Sequence, residues 1–266
     1  GFATTAHGSP SYNVEGVVNV PLVTDKLAMR AGFLYRHDGG YIDNGPGDVR
    51  NSNASSTAFP AYTPLTQDAL SSRSASNQNK GNSYVGRLSF QWEPDSSWSI
   101  RPSIFYQDFK LDNPSQYFLG DRKELTASYR LPQPTRDKAG IYSLSIEKTL
   151  GNVQLTSITA YFDRKLSWER DYSFFIGGLV PALFPLSSSN LSRSRTKQLS
   201  QEIRLSSNDP GARFKWIAGA YYSDQDDNLY QIVRTPGAEP ALGTAEVYFG
   251  DTTTKMKQYA AFGEAT

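Results

Sequence analysis

PLVTDKLAMRAGFLYRHDGGYIDN, residues 21–44, opens on a polar break at Thr24-Asp25 and then alternates. Leu27, Met29, Ala31, Phe33 and Tyr35 fall on one side of an extended chain, while Ala28, Arg30, Gly32, Leu34 and Arg36 fall on the other. A period of two is what a β-strand imposes on its side chains. The strand dissolves at Asp38-Gly39-Gly40 into a polar loop that reaches Asn82. Short break, alternating strand, long loop: this unit predicts the rest of the chain.

Upstream, Ser11–Val20 carries Tyr12, Val14, Gly16, Val18 and Val20 on one face. Downstream, Ser83–Glu93 sets Tyr84, Gly86, Leu88, Phe90 and Trp92 against Val85, Arg87, Ser89 and Gln91. The turn Pro94-Asp95-Ser96 leads to a strand from Ser97 to Phe109, with Trp98, Ile100, Pro102, Ile104 and Tyr106 on one side. A long loop, Lys110–Arg136, precedes the pair Ile141–Lys148 and Val153–Trp168, joined through Leu150-Gly151-Asn152. A second, Asp171–Arg195, leads to Lys197–Ser206, and the turn Asn208-Asp209-Pro210-Gly211 leads on to Phe214–Tyr222. A last loop, Ser223–Thr253, precedes Met256–Ala265. About nine strands result, and no helical period of comparable length competes with them.

The totals narrow the class. The chain has 266 residues, 38% of them hydrophobic, so a large core is affordable in one or two domains. Mean hydropathy is −0.51. The longest apolar run, Phe174–Leu186 (FFIGGLVPALFPL), is interrupted by Gly and Pro and falls short of the roughly 20 residues a membrane helix needs. A formal charge of +1 advertises no general attraction to polyanions, so nucleic acid is not an expected partner. With 0 Cys there are no disulfides and no thiolate chemistry; the 2 His, His7 and His37, are too far apart for a local metal motif. Aromatic residues reach 13%, which suits strands and membrane interfaces.

A soluble sandwich also has many alternating strands. Its strands average about 5–6 residues, however, and its loops do not sort by length. Strands of roughly 10 residues, with short and long connections alternating, are the expectation for an outer-membrane barrel with tight periplasmic turns and long external loops. The second face of the strands fits that reading. Arg30, Arg36, Arg87, Gln91, Arg101, Gln107, Glu202 and Arg204 are poor sandwich-core residues, but a hydrated or plugged lumen would accommodate them. Of these, Arg30, Arg87, Gln91, Arg101, Glu202 and Arg204 are the expected lumen-facing set. Trp92, Trp98 and Trp216 near the short turns, and Trp168 near a long loop, are expected in the two aromatic girdles at the membrane interfaces.

VPLVTDKLAMRAGFLYRHDGGYIDN, SQEIRLSSNDPGARFKWIAGAYYSD and the closing YAAFGEAT resemble the barrel region of TonB-dependent outer-membrane receptors, with the sphingomonad-like branch nearest. The resemblance implies an all-β, antiparallel up-and-down transmembrane barrel of roughly 22 strands filled by an N-terminal plug. Residues 1–266 would form part of that one barrel domain, with the plug, its energy-coupling box and the terminal aromatic strand having no counterpart here. It further implies a Gram-negative outer-membrane location and lipid contact. The small-molecule substrate would be a ferric siderophore, or else a glycan or other organic compound, and the TonB–ExbB–ExbD complex would act through the plug. No cofactor is expected.

Substrate contacts are expected from the long loops: Tyr117, Phe118 and Arg122 offer stacking and a charge, and Tyr172, Phe174 and Phe175 an apolar patch. The competing expectation is that these aromatics pack among themselves. Asp224, Asp226 and Asp227 supply oxygen ligands without the spacing of a calcium loop, and a solvated acidic turn is the expected reading, so no metal site is assigned. No G-x-S-x-G elbow is present and neither His has a marked partner, so an enzyme is not expected. Energised uptake of a scarce, bulky nutrient is the leading functional expectation; a passive porin-like channel and a soluble glycan-binding β-protein are the alternatives.

Overall fold

A computed structural model describes residues 1–5, 7–45, 74–116 and 125–266. Its strands, in chain order, are β1 (Phe2–Ala3), β2 (Ser11–Val23), β3 (Leu27–Asp38), β4 (Asp43–Asn44), β5 (Gly81–Trp92) and β6 (Trp98–Leu111). They continue with β7 (Thr126–Ala127), β8 (Thr135–Leu150), β9 (Val153–Asp171), β10 (Ser189–Ser207), β11 (Trp216–Arg234) and β12 (Glu246–Ala265). Ten of them form one antiparallel sheet in the order β1-β2-β3-β5-β6-β8-β9-β10-β11-β12, a meander that does not close on itself. β4 and β7 form a small parallel pair outside it. Among the described residues no second sheet packs on the first, which removes the sandwich.

Four tight connections lie at one end of the sheet. Asp25 takes φ 55° between β2 and β3, and Gly151 takes φ 61° between β8 and β9, left-handed conformations that short turns demand. Asp95 closes the β5–β6 turn by accepting from the Ser97 amide at 2.8 Å and its hydroxyl at 2.5 Å. Asp209 does the same for the amide of Gly211 at 2.9 Å between β10 and β11. Carboxylates two residues before a turn amide are the local chemistry that Asp and Pro-rich breaks encode.

Register sets the faces, since residues opposite one another on antiparallel strands share a side. Leu27, Met29, Ala31, Phe33 and Tyr35 lie across from Trp92, Phe90, Leu88, Gly86 and Tyr84. The same side continues through Ile100 and Ile104 on β6, Ile146 and Leu144 on β8, Leu155 on β9, Ile203 and Leu205 on β10, and Ala218 and Ala220 on β11. This is the apolar face. Much of it is exposed: Phe33, Trp92, Ile104, Leu144, Ile203 and Leu205 all present large surfaces outward. A soluble protein rarely tolerates a contiguous apolar patch beyond a few hundred Å². Hydrocarbon covers such a face without cost.

The apolar face has sharp limits. Trp92, Trp98 and Trp216 stand on it at the short-turn end. At its other limit runs a row of tyrosines on that same face: Tyr12, Tyr35, Tyr84, Tyr106, Tyr142, Tyr161, Tyr222 and Tyr259. Neighbouring rings touch, with centroids 4.9 Å apart for Tyr35–Tyr84 and 5.1 Å for Tyr222–Tyr259. From Trp98 to Tyr106 the strand rises about 26 Å, or roughly 20 Å of height at a tilt of about 40°. That is the scale of the apolar band of an outer-membrane barrel, about 25 Å.

The strands run past the tyrosine row, and here the structure departs from the sequence expectation. β9, β10 and β11 have 19 residues each and β12 has 20, about 60 Å of extended chain. The predicted loop over residues 223–253 is mostly strand, its true connection being 235–245; residues 171–195 shrink to a connection over 172–188 that contains a short helix, α1 (Ser173–Leu179), and a 3₁₀ turn (Pro181–Leu183). Beyond the tyrosines charged and polar side chains interrupt both faces, so the regular hydrophobic alternation that reveals a strand is lost while the strand continues.

Candidate functional site at the long-connection end

The long connections fold into a hydrogen-bonded cap. The Asn79 Oδ1 accepts from the amides of Tyr41 at 2.7 Å and Ile42 at 2.8 Å. Asn113 donates to the carbonyl of Gln78 at 3.0 Å and accepts from the amide of Gln133 at 2.8 Å. Asn44 exchanges two bonds with the Tyr129 backbone, at 3.0 and 2.8 Å. All of Asn44, Gln78, Asn79, Asn113 and Gln133 are buried. Buried amide side chains satisfy backbone groups that no sheet ladder reaches, so the cap is specified by polar chemistry rather than by a hydrophobic core. Burial also pushes the Tyr129 phenol above its ordinary pKa.

Asp171, at the end of β9, is the hub between cap and helix. One carboxylate oxygen accepts from the amides of Arg130 at 2.5 Å and Leu131 at 3.1 Å; the other accepts from the amide of Ser173 at 2.9 Å and its hydroxyl at 2.5 Å. The Ser173 hydroxyl in turn accepts from the Ser188 amide at 3.0 Å, which pins both ends of the 172–188 connection together. Ile176 and Leu183 close over Val233 and Ala238 in a small apolar cluster, with Tyr172, Val180 and Leu186 against it. Val233 lies across from Asn190, on the face opposite the tyrosines, so this helical segment packs over the polar face.

The predicted aromatic patch is divided by this arrangement. Phe174 is half-buried beneath Arg130, whose guanidinium stands 5.3 Å from its ring centre and 4.9 Å from that of Phe184. Arg130 also donates to the carbonyls of Phe184 at 2.6 Å and Leu186 at 2.8 Å. Tyr172 packs on the cluster and on Phe175. Only Phe175 of the three is exposed, at 53%. Tyr117, Phe118 and Arg122 lie outside the described residues. Sequence reasoning missed Arg130 and Asp171, whose roles depend on partners about 40 to 56 residues away.

Arg30, Arg87, Gln91, Arg101, Glu202 and Arg204 all share the face opposite the apolar one. Four of them have side-chain partners on that face. Arg101 pairs with Glu147, which also accepts from Gln154, and Arg204 pairs with Glu202 at 2.9 Å. Gln91 bonds Glu93 at 2.7 Å and Ser99 at 3.0 Å. Trp92, Trp98 and Trp216 stand on the apolar face, where an interfacial girdle requires them. Trp168 does not: its partners Thr135 and Ser192 put it on the polar face, where the Arg170 guanidinium lies 5.3 Å from its ring centre. Proximity to a loop in sequence does not fix a face; register does. The predicted acidic turn is likewise strand. Asp224 and Asp226 pair with Lys257 and Lys255 at 3.7 and 3.9 Å, and Asp227 lies on the other face.

No protein-family model matches the sequence, and no curated protein is similar to it. The solved structures are more informative. The chain is similar to the ferric yersiniabactin uptake receptor FyuA from Yersinia pestis, with a TM-score of 0.69 over 96% of this chain and 34% of the receptor, at 14% identity. It is also similar to the siderophore receptor PiuA from Acinetobacter baumannii, with a TM-score of 0.58 over 96% of this chain and 37% of that one, at 13% identity. The outer membrane transporter YddB from Escherichia coli gives 0.57 over 96% and 31%, at 9% identity. At these identities the likeness is one of fold. The shared fold is a stretch of antiparallel outer-membrane β-barrel wall, and the chain spans about a third of the length of the proteins it matches.

Proposed function

We propose that this chain is part of the barrel wall and external cap of an energy-coupled outer-membrane receptor that takes up a scarce, bulky nutrient. The observation that carries the reading is the division of one sheet into an apolar face, limited by tryptophans below and tyrosines above, and an opposite face of paired charges. The apolar face meets lipid, and the polar face lines the lumen through Arg30, Arg87, Gln91, Arg101, Glu202 and Arg204. The tight-turn end is periplasmic and the capped end external. The sphingomonad-like assignment rests on the quoted segments alone.

A ferric siderophore is the first substrate class, supported by the names of two of the similar receptors, and a glycan the second. Phe175, the exposed aromatic of its trio, is the contact proposed in the described residues, with Tyr172 and Phe174 shaping its support; Tyr117, Phe118 and Arg122 are proposed from the sequence alone. TonB–ExbB–ExbD supplies the energy through a plug. The test is uptake by cells carrying or lacking the intact gene, using a panel of iron-55 chelates and labelled oligosaccharides, with and without an uncoupler. Gene-dependent, uncoupler-sensitive accumulation is expected for one class. Uptake that survives collapse of the proton gradient identifies a passive channel instead.

A further inference from the structure

Above the tyrosines the apolar face turns charged, and two adjacent rows across the sheet follow opposite rules. The lower row reads Asp163, Lys197, Asp226, Lys255 on β9 to β12, alternating in sign. The row two residues higher reads Lys138, Lys165, Arg195 on β8 to β10, three cations directly opposite one another. The row above that adds Lys110, Arg136 and Arg193. Neighbouring strands are about 4.8 Å apart, so Lys138, Lys165 and Arg195 fall within about 10 Å. Like charges placed opposite destabilise a sheet. Three carboxylates offset part of this: Asp108 meets Arg136 at 2.9 Å and Lys138 at 3.5 Å, Asp163 meets Arg195 at 2.8 Å, and Asp112 meets Lys110 at 3.6 Å. Six cations against three carboxylates leave an excess that β11 and β12, with Asp224 and Asp226 matched to Lys257 and Lys255, do not share.

We infer that Lys138, Lys165 and Arg195, with Lys110, Arg136 and Arg193 above them, bind the clustered phosphates of a lipid headgroup, the lipid's chains lying along the apolar face below. The inference rests on the reading of that face as lipid-facing. Depth selects a lipid over other polyanions. Lys138 and Lys165 each lie four residues from a girdle tyrosine, Tyr142 and Tyr161, toward the long connections, about 13 Å of strand and roughly 10 Å of height, which is just beyond the interfacial girdle. Basic side chains at headgroup level each contribute about 1 kcal/mol to anionic-lipid binding. A phosphate cluster in this position would also relieve the repulsion that the bare row carries.

The full-length protein in neutral detergent is titrated with lipid A, a diglucosamine bisphosphate bearing acyl chains, with the same lipid after phosphatase treatment, and with inorganic pyrophosphate. Tight, salt-sensitive binding of lipid A only is expected. Lys138→Gln with Lys165→Gln should weaken it about 30-fold, from the per-cation contribution, without lowering thermal stability in the absence of lipid. Lys255→Gln with Lys257→Gln should leave binding unchanged. Equal affinity of the first double variant and the parent, or equal binding of the dephosphorylated lipid, overturns the inference. Pyrophosphate binding as tightly as lipid A makes the row a free-phosphate site and overturns the lipid. A protein that stays monodisperse without detergent defeats the barrel-wall reading itself, so the two failures are distinct.

Discussion

The tyrosine row divides each strand into two halves built on different physics. Below it, one face is apolar and the other polar, and on the proposed reading lipid covers the apolar one. Above it, charged and polar side chains stand on both faces, and the structure is held by buried amides, ion pairs, the Asp171 hub and the small cluster around Val233. The backbone is the same continuous antiparallel ladder throughout. What changes at the row is the side-chain chemistry, within two residues, from Tyr161 to Asp163 on β9 and from Tyr222 to Asp224 on β11, as the proposed passage from lipid to water requires.

The largest effect is expected where the lower half is most intolerant. Leu88 lies midway between Trp92 and Tyr84 on the apolar face, and Leu88→Arg should cost about 2–4 kcal/mol in denaturant unfolding of the full-length protein in bilayers. Gln91→Arg, on the opposite face beside Glu93, should be nearly neutral. Equal costs at the two positions would abolish the distinction between faces.

In the upper half the matching vulnerability is a polar group. Asp171→Ala leaves the Arg130, Leu131 and Ser173 amides without their acceptor, and buried unmet donors cost about 1–3 kcal/mol each before relaxation. The expected result is fast amide exchange across residues 128–132 and 172–188, with the lower strands as protected as before. Exchange that rises uniformly along β9 would mean the halves are one cooperative unit.

A third substitution locates the boundary itself. Leu199 occupies the tyrosine-row level on β10, opposite Tyr161. Leu199→Arg should cost only about 0–1 kcal/mol, the interfacial value, against the midplane value for Leu88→Arg. A cost at Leu199 equal to that at Leu88 would move the boundary upward by at least one row.

These two halves also explain what the sequence disclosed. All nine strand cores were legible because they lie in the lower half, where Leu27 to Tyr35 or Trp98 to Tyr106 alternate between an apolar and a polar face. The strand tops were not. Residues such as Asp224 to Asn228 or Ser192 to Lys197 carry no hydrophobic period, and polar strands read as loops by composition. Trp168 is a different case: alternation from Leu155 and Tyr161 along the predicted strand already puts it on the opposite face, and nearness to a loop carries no face information. α1 is a single short element with two adjacent glycines, kept helical by Ile176 packing on Val233 from a distant strand, a contact invisible to local pattern. Tyr172, Phe174 and Phe175 were legible as a cluster in sequence, but which member faces outward depends on Arg130 and Phe184.

The smallest effect belongs to the tight turns of the lower half. Hydrogen bonds from the Ser97 hydroxyl and amide hold the Asp95 carboxyl below the ordinary aspartate pKa. The sign follows: a depressed folded-state pKa stabilises the fold above the unfolded-state value, and this contribution is lost as pH falls through the folded one. In Asp95→Asn the amide oxygen can still accept from Ser97, but nothing titrates there. The stability difference between parent and variant should therefore be constant at neutral pH and shrink below the ordinary aspartate range, while the same difference for Leu88→Arg stays flat over that window. A gap for Asp95→Asn that is independent of pH would show that the turn is set by backbone geometry alone, and that the charge on Asp95 contributes nothing to the register of β5 and β6.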